Sequence, residues 1–378
     1  MDRRSFLFSV GAIAATPAVA ATLPDWRVAS ATSQGFASDL DAKLAAGVRS
    51  GLLWNVHAVL VARHGRLVAE YYGTGQDHAW GRDLGNVTFR PNTLHDLRSV
   101  TKSVTGLLYG IARDRGQVPP PEANLLAQFP EYKDLATDAG RAALTVNNAL
   151  TLTMGTAWNE NYSYLDPRNS EAAMEHAPDR LRYVLTQEQV AAPGSKWIYS
   201  GGAVALVGAL IVRGTGMSLE AFAQQALFAP LGITECGWNR GEDGVASAAS
   251  GLRLRPRDLL RIGQLVLAGG QWGWRQVVSR AWLEAATRPA IATGPRAVVP
   301  PGAKLEYGRL WFLGEISAPA LPGAHRWIAG FGNGGQRLWV LPDAELVVVS
   351  LSGAYNQPDT WITPWRIWRD IVLKNLAT

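Results

Sequence analysis

The amino-acid sequence predicts a mixed α/β (α+β) fold, in which an antiparallel sheet is built from both ends of the chain and flanked by helices, with an inserted and mostly helical region between. Strand patterns occur near the beginning of the 378-residue chain and again near its end, whereas the residues between them have mostly helical patterns. Hydrophobic residues make up 47% of the chain and charged residues 18%, which is typical of a globular protein with a large core.

The first strand pattern predicts a hairpin. An apolar run from Val56 to Ala62 is followed by His64-Gly65-Arg66 and by a second run from Leu67 to Tyr72. A glycine-containing turn between two such runs is typical of paired antiparallel strands. We expect polar, Gly- and Pro-rich residues to follow as a loop, and then a helix that starts at Ser99.

The inserted helical region is expected at residues 117–245, with the three prolines 119–121 at its start. Its clearest helices are the apolar stretch from Gly202 to Arg213 and the stretch from Ser218 to Leu227. Residues 21–116 and 246–378 are then expected to form the α/β sheet domain.

The last third of the chain supplies the remaining predicted elements. Helices are expected from Arg257 to Ala268, from Ser279 to Thr287 and from about Thr363 to Leu376. Strands are expected from Tyr307 to Leu313, from Arg337 to Leu341 and from Glu345 to Leu351, with Pro342-Asp343 turning between the last two.

The first 20 residues are predicted to be an export signal. Arg3 and Arg4 precede an apolar run, and Ala18-Val19-Ala20 has the small residues of a cleavage site. The arginine pair resembles a twin-arginine signal, which implies export in a folded state, so that the protein is periplasmic or secreted. No later segment is long and apolar enough for a membrane span, and we expect no membrane association after the signal is removed.

Charge and cysteine content narrow the classes of function. The formal net charge is +5 and the basic residues are scattered, so nucleic-acid binding is not indicated. Cys236 is the single cysteine, so no intramolecular disulfide is possible, and we expect Cys236 to be a small buried hydrophobic residue.

Ser99 and Lys102 are the most informative residues of the chain. They lie three residues apart at the start of a predicted helix, so the hydroxyl and the amine share one helix face. A serine needs an adjacent base to become a nucleophile, and a lysine whose pKa is lowered by burial can be that base. The spacing indicates nucleophilic catalysis, although a helix N-terminal serine with a solvated lysine one turn later would have the same spacing.

Tyr199 is the next candidate, in a loop that leads into the apolar helix from Gly202. A phenol near ammonium groups is expected to have a lowered pKa and to carry a proton to a leaving group. The alternative is a tyrosine whose ring packs against the next helix.

The third candidate is the glycine-rich segment Gly332-Asn333-Gly334, which comes shortly before a predicted strand. Glycines let the backbone approach a ligand closely, and a free N–H there can form half of an oxyanion hole. A flexible hairpin turn is the structural alternative.

Together these segments resemble the serine hydrolases related to class C β-lactamases, a family that includes D-alanyl-D-alanine peptidases, carboxylesterases and the 6-aminohexanoate-dimer hydrolase. The resemblance covers nearly all of the chain after the export signal, and it is closest to the carboxylesterase and dimer-hydrolase branch. Besides Ser-x-x-Lys, the phrases that carry it are Leu150-Thr151-Leu152-Thr153-Met154-Gly155, Pro193-Gly194-Ser195-Lys196-Trp197-Ile198-Tyr199-Ser200, Gly251-Leu252-Arg253-Leu254-Arg255-Pro256-Arg257-Asp258-Leu259 and the Gly-Asn-Gly-Gly-Gln run at 332–336.

The resemblance implies a β-lactamase-like fold and hydrolysis of a small-molecule ester or amide through an acyl-enzyme, without a metal or an organic cofactor. Ser99 would be the nucleophile, and Lys102 and Tyr199 would share the proton transfers. The Ser99 N–H and one N–H of residues 332–334, with Asn333 the expected donor, would hold the oxyanion. The oligomeric state is not predicted.

Two departures from the family pattern bear on the substrate. The family's Tyr-x-Asn motif ends here in Gly201, and the third motif has no lysine. Both departures weigh against a β-lactamase or a D-alanyl-D-alanine peptidase, which stay as alternatives. A non-catalytic binder of cell-wall peptides is the alternative from another class.

Other hydrolase classes fit the sequence less well. No serine lies in Gly-x-Ser-x-Gly, and the six histidines (57, 64, 78, 95, 176 and 325) lack a His-x-x-x-His spacing for zinc. Of the fifteen tryptophans, Trp158, Trp197 and Trp327 lie near the motifs, where they either line an apolar acyl pocket or pack in the core.

Overall fold

The computed structural model describes residues 25–377, apart from Gly81 and Leu165. The predicted export signal therefore lies outside the described residues. The strands are, in chain order, β1 (Val56–Arg63), β2 (Arg66–Tyr72), β3 (Thr74–Ala79), β4 (Arg82–Thr88), β5 (His95–Asp96), β6 (Gly237–Trp238), β7 (Leu252–Leu254), β8 (Gln271–Trp272), β9 (Arg275–Gln276), β10 (Ile291–Ala292), β11 (Leu305–Tyr307), β12 (Phe312–Ala318), β13 (Leu321–Gly332), β14 (Gln336–Leu341) and β15 (Leu346–Ser352).

The α-helices are α1 (Leu40–Arg49), α2 (Val100–Asp114), α3 (Ala139–Ala142), α4 (Val146–Leu150), α5 (Ser170–Glu175), α6 (Arg180–Leu185), α7 (Gly201–Thr215), α8 (Leu219–Ala223), α9 (Pro256–Leu267), α10 (Arg280–Ala286) and α11 (Ile362–Trp365). Tighter or wider helical turns extend some of them, so that the C-terminal helical segment runs through residues 362–375.

One large sheet contains strands from both ends of the chain, in the order β10-β11-β12-β13-β14-β15-β1-β2, and every neighbouring pair in it is antiparallel. Strands β14 and β15 are buried along their whole length, as is β1 up to its last residue, which explains their continuous apolar runs. This sheet, with helices around it, confirms the predicted fold class.

Helices cover both faces of the sheet. Because successive residues of a strand point to opposite faces, Leu338 and Trp339 of β14 meet different layers. Leu338 lies against Gly263 of α9, whereas the Trp339 ring stacks on Trp368 of the C-terminal helical segment at 5.3 Å between centroids. Helix α2 lies against β13, where Gly330 leaves space for Val100, and this packing fixes the helix that starts beside Ser99.

Residues 117–245 contain α3 to α8 and, of the described strands, β6. The division into this helical part and a sheet part at 21–116 and 246–378 stays a prediction. Among the described helices no single one is long and apolar enough to cross a membrane, and the pair Gly201–Thr215 and Leu219–Leu231 passes that test only together, across a 75° bend.

Three strand regions differ from the sequence-based expectation. The hairpin of β3 and β4 lies where a loop was expected, because its strands are largely polar and exposed and carry no apolar alternation. The 12-residue β13 was missed because its first half contains Pro322 and Gly323 and is exposed or half-buried, while only its second half is buried. The strand expected from Tyr307 to Leu313 is divided into β11 and β12 by a turn in which Leu310 has φ +63°.

Candidate active site

Ser99 lies at the amino end of α2, directly after a turn that the surrounding side chains fix. Arg98 has φ +48°, a conformation that a non-glycine residue keeps only where the surroundings impose it. Its guanidinium lies 3.3 Å from the buried Asp96 carboxylate and 4.7 Å from the centre of the Tyr355 ring. The backbone before this turn is held by Leu97, whose N–H donates to β7 at 3.0 Å. Ser99 is therefore presented by a rigid turn.

Lys102 lies one helical turn after Ser99, as the spacing predicts. Its ammonium donates to Ser99 Oγ at 3.1 Å and to the Ala249 carbonyl at 3.2 Å, and the residue is 1% exposed. The pair is thus close enough for direct proton transfer, in a site from which water is largely excluded.

Tyr199 joins this pair from the end of the loop before α7. Its ring centre lies 4.7 Å from Lys102 Nζ, and its phenol interacts with the side chains of both Ser99 and Lys102. Phe312 stacks on the Tyr199 ring at 6.3 Å and helps to fix its orientation. The structure therefore brings together the three predicted catalytic residues.

The predicted shifts in the pKa values of Lys102 and Tyr199 are both wrong in direction. Burial acts to lower the pKa of Lys102, but Tyr199, Glu171 and Glu160 together outweigh burial and raise it above its ordinary value. Burial likewise raises the pKa of Tyr199 by more than the neighbouring Lys102 lowers it. At neutral pH the resting site thus holds an ammonium and a neutral phenol.

Two carboxyl groups beside Lys102, one buried and one half-buried, are absent from the sequence-based site. Glu171 of α5 is 1% exposed, and its Oε2 lies 4.0 Å from Lys102 Nζ, while its Oε1 accepts from Ser250 at 2.6 Å. Glu160, in the loop before α5, accepts from the Gly201 N–H at 2.5 Å and contacts the Glu171 carboxyl.

Burial, and then the neighbouring Glu171, raise the pKa of Glu160 to about 8. Glu160 is therefore largely protonated at neutral pH, and its O–H can donate to Glu171. No spacing rule connects positions 160 and 171. The sequence feature that could have indicated these two glutamates is Gly201, because a glycine in a buried site leaves space that another side chain must fill.

The 332–334 segment forms the turn between β13 and β14, next to the backbone that precedes Ser99. A Cβ at Gly332 would lie 2.5 Å from the Leu97 carbonyl oxygen, so this segment and the Ser99 turn are in close contact. The Asn333 side chain exchanges hydrogen bonds with Asn356, at 2.7 Å to its side chain and 2.9 Å from its N–H. The segment thus lies near the nucleophile, which the predicted oxyanion role requires. The assignment of oxyanion donors to Gly332, Asn333 and Gly334 itself stays a prediction.

Two clefts of about 580 and 480 Å³ lie beside the cluster and share Glu160 and Arg296 in their walls. Trp158 and Trp197 line the larger cleft, and the Arg296 guanidinium lies 5.1 Å from the centre of the Trp197 ring. Trp327, in contrast, is 1% exposed and packs in the core. Of the three tryptophans near the motifs, two thus line this cleft and one packs in the core.

His57 and His95, far apart in sequence, meet in the fold with Asp77, and the potential metal-ligand atoms of these three buried residues lie within 4.8 Å of one another. His57 Nδ1 lies 2.9 Å from His95 Nε2, and Asp77 pairs with Arg253 at 3.0 Å. Burial, reinforced by the neighbouring His95, lowers the pKa of His57 to about 3, so the ring is neutral. Sequence spacing does not show this meeting, because the three residues lie on different strands.

Comparisons with known proteins identify relatives of this chain in sequence and in fold. A family model described as Beta-lactamase matches residues 38–368. The 6-aminohexanoate-dimer hydrolase of Paenarthrobacter ureafaciens is 26% identical over 321 residues, which cover 80% of this chain and 74% of that protein. Esterase EstB of Burkholderia gladioli is 28% identical over 220 residues, which cover 56% of this chain and 54% of the esterase.

The fold has close structural parallels at low sequence identity. A penicillin-binding protein homologue from Caulobacter crescentus superposes with a TM-score of 0.64 and 17% identity, over 87% of this chain and 97% of the homologue. At that identity the likeness concerns the fold alone.

Proposed function

Because the chain belongs to the Beta-lactamase family, we propose that it is a serine hydrolase that cleaves a carboxylic ester or a small amide through an acyl-enzyme on Ser99. The observation that carries this proposal is the meeting of Ser99, Lys102 and Tyr199 in one buried cluster. Relatives named as an amide hydrolase and an esterase support the reaction class.

In the proposed reaction the Lys102–Tyr199 pair first gives up one proton to solvent, and Ser99 Oγ then attacks the carbonyl carbon while its own proton passes into that pair. The tetrahedral oxyanion is held by the Ser99 N–H and by an N–H of residues 332–334, with Asn333 the expected donor. The Tyr199 phenol then protonates the leaving group, and the acyl group stays on Ser99. A water molecule then attacks the ester and gives a proton to the same pair, the acyl–Oγ bond breaks to release the acid, and the pair returns the proton to Ser99 Oγ.

Replacement of Tyr199 by Phe is expected to slow turnover by roughly 10² to 10⁴, the range for a positioned acid–base group. The fold should persist, because a phenyl ring keeps both the stacking on Phe312 and the contact with Lys102. Tyr109→Phe is the matched control. Tyr109 lies on the part of α2 that is far from Ser99, and its buried phenol donates to the Pro119 carbonyl. Equal rates for the two variants with p-nitrophenyl butyrate would remove Tyr199 from the mechanism.

Gly201 is the residue that bears most directly on which substrates the site can bind. Glycine has no side chain to pair with an acylamino group, and the adjacent space holds the Glu171 carboxyl, 2.7 Å from where a Cβ would lie. An unpaired amide in a buried cleft costs on the order of 1–3 kcal/mol. The third motif, in addition, lacks a lysine for the carboxylate of a β-lactam. Esters and small amides are therefore favoured over cephalosporins.

Two lost contacts of this size would lower transition-state binding by roughly 10² to 10⁴. We expect p-nitrophenyl butyrate or a small linear amide to be hydrolysed with a much higher kcat/KM than a chromogenic cephalosporin. A cephalosporin with an equal or higher kcat/KM would favour the β-lactamase alternative. A chain that turns over none of these and resists a fluorophosphonate would favour the non-catalytic binder.

A further inference from the structure

The two carboxyl groups beside Lys102, the buried Glu171 and the half-buried Glu160, take no proton in the proposed reaction. Glu171 and Lys102 are both almost completely buried, and their charged atoms lie 4.0 Å apart. A buried ion pair costs desolvation on both sides, and it persists only where the surroundings supply further hydrogen bonds. Here Ser250 holds one oxygen of Glu171, and the other faces Lys102 and Glu160.

Glycine at position 201 is what makes room for this carboxyl. A Cβ there would lie 2.7 Å from Glu171 Oε2 and 2.8 Å from the carboxyl carbon, so any larger residue would displace the group. Through its own N–H, Gly201 also donates to Glu160. The absence of an asparagine side chain at position 201 thus leaves the space that the Glu171 carboxyl fills, and the backbone of the same residue holds Glu160.

We propose that Glu171, backed by Glu160, is a positioning residue for Lys102, and that its carboxylate keeps Lys102 an ammonium directed at Ser99. This inference rests on the proposed function, because it concerns the residue that exchanges protons with the nucleophile. Removal of the Glu171 charge should lower the Lys102 pKa, because burial lowers it and Glu171 is one of the groups, after Tyr199 and together with Glu160, that oppose burial.

Other charged or titratable groups also face this pair, and the test has to separate their effects from that of Glu171. They are Tyr199 before α7, Glu160 and Tyr164 in the loop before α5, Glu175 on α5, and Arg98 before α2. Glu175 is the useful contrast: it is a buried acid one turn after Glu171, but it pairs with Arg180 at 2.5 Å instead of with Lys102.

The experiment follows the six lysines of the full chain by NMR of ¹³Cε-labelled lysine, with the Lys102 signal assigned from a Lys102→Ala variant. In the wild type Lys102 should lose its proton after the other five lysines. In Glu171→Gln the midpoint of the Lys102 titration should fall by at least about one pH unit. Such a shift corresponds to a tenfold higher ratio of neutral amine to ammonium at a given pH. Glu160→Gln should move it in the same direction by less, and Glu175→Gln by less than about 0.3 unit.

Coincident Lys102 titrations in wild type and folded Glu171→Gln would overturn the proposal. If Glu171→Gln did not fold, Glu171→Asp would test the same contact. That substitution shortens the side chain and withdraws the charge from Lys102 Nζ, now 4.0 Å away, so a smaller downward shift is expected, and a coincident curve would again overturn the proposal. Because the titration needs no turnover, its failure is distinguishable from failure of the proposed function, which is judged by loss of hydrolysis in Ser99→Ala.

Discussion

Ser99→Ala should abolish hydrolysis, with a loss of roughly 10⁴-fold or more in kcat, as expected when the nucleophile of an acyl-transfer enzyme is removed. The fold should survive, because the deletion removes one hydroxyl while Lys102 keeps the Ala249 carbonyl and Glu171 as partners. Ser99 is only 6% exposed, so a small loss of stability is expected. A lost hydrogen bond of about 1 kcal/mol corresponds to a few degrees in Tm.

Ser103→Ala is a matched control for Ser99→Ala, since Ser103 lies on the same helix and donates to the Leu310 carbonyl at 2.8 Å. It should keep ester hydrolysis within a few-fold of wild type while it loses a comparable hydrogen bond. More than a few per cent of wild-type activity in purified Ser99→Ala would place the nucleophile elsewhere.

Lys102→Ala should slow acylation by about 10³-fold or more, because it removes the group that exchanges a proton with Ser99 at 3.1 Å. It should also destabilise the protein, since the buried Glu171 carboxylate loses its cation, a change that costs about 3–5 kcal/mol in such sites. Stopped-flow acylation at pH 7 and thermal unfolding measure the two effects separately.

The double variant Lys102→Ala/Glu171→Gln separates catalysis from stability. Neutralising the stranded carboxylate should restore much of the Tm without restoring acylation. A near-normal acylation rate in Lys102→Ala, or recovery of activity together with stability in the double variant, would show that Lys102 has no direct part in the proton transfer.

The parts of the site that could be predicted are those with local geometry. Ser99 and Lys102 follow from an i, i+3 spacing at a helix start, which needs no knowledge of distant segments. Tyr199 was placed with them by its family phrase, and the structure brings its ring to 4.7 Å from Lys102 Nζ.

The environment of Lys102 could not be predicted in the same way. The sequence indicates a helix that starts at Ser99, but it does not indicate which charged groups lie beside Lys102. Glu160 and Glu171 reach Lys102 from a loop and a short helix whose residue patterns carry no spacing signal. The direction of the Lys102 pKa shift therefore depends on tertiary contacts, and the sequence-based direction was wrong.

In the fold, too, the elements with a local sequence pattern could be predicted and those without one could not. The buried strands β1, β14 and β15 have continuous apolar runs and were recognised from them. Strand β13 begins with an exposed or half-buried segment containing proline and glycine, and β3 and β4 are polar, so their pairing depends on neighbours that a local pattern does not show.

Covalent trapping of the nucleophile tests the central claim most directly. The purified wild-type chain is treated with a fluorophosphonate, digested, and mapped by mass spectrometry, with Ser99→Ala and Ser103→Ala treated in parallel. The account predicts a single stoichiometric adduct on Ser99, loss of esterase activity in proportion to labelling, and no adduct in Ser99→Ala. Labelling of another residue that tracks the loss of activity, or ester hydrolysis that persists after Ser99 is fully labelled, would contradict it.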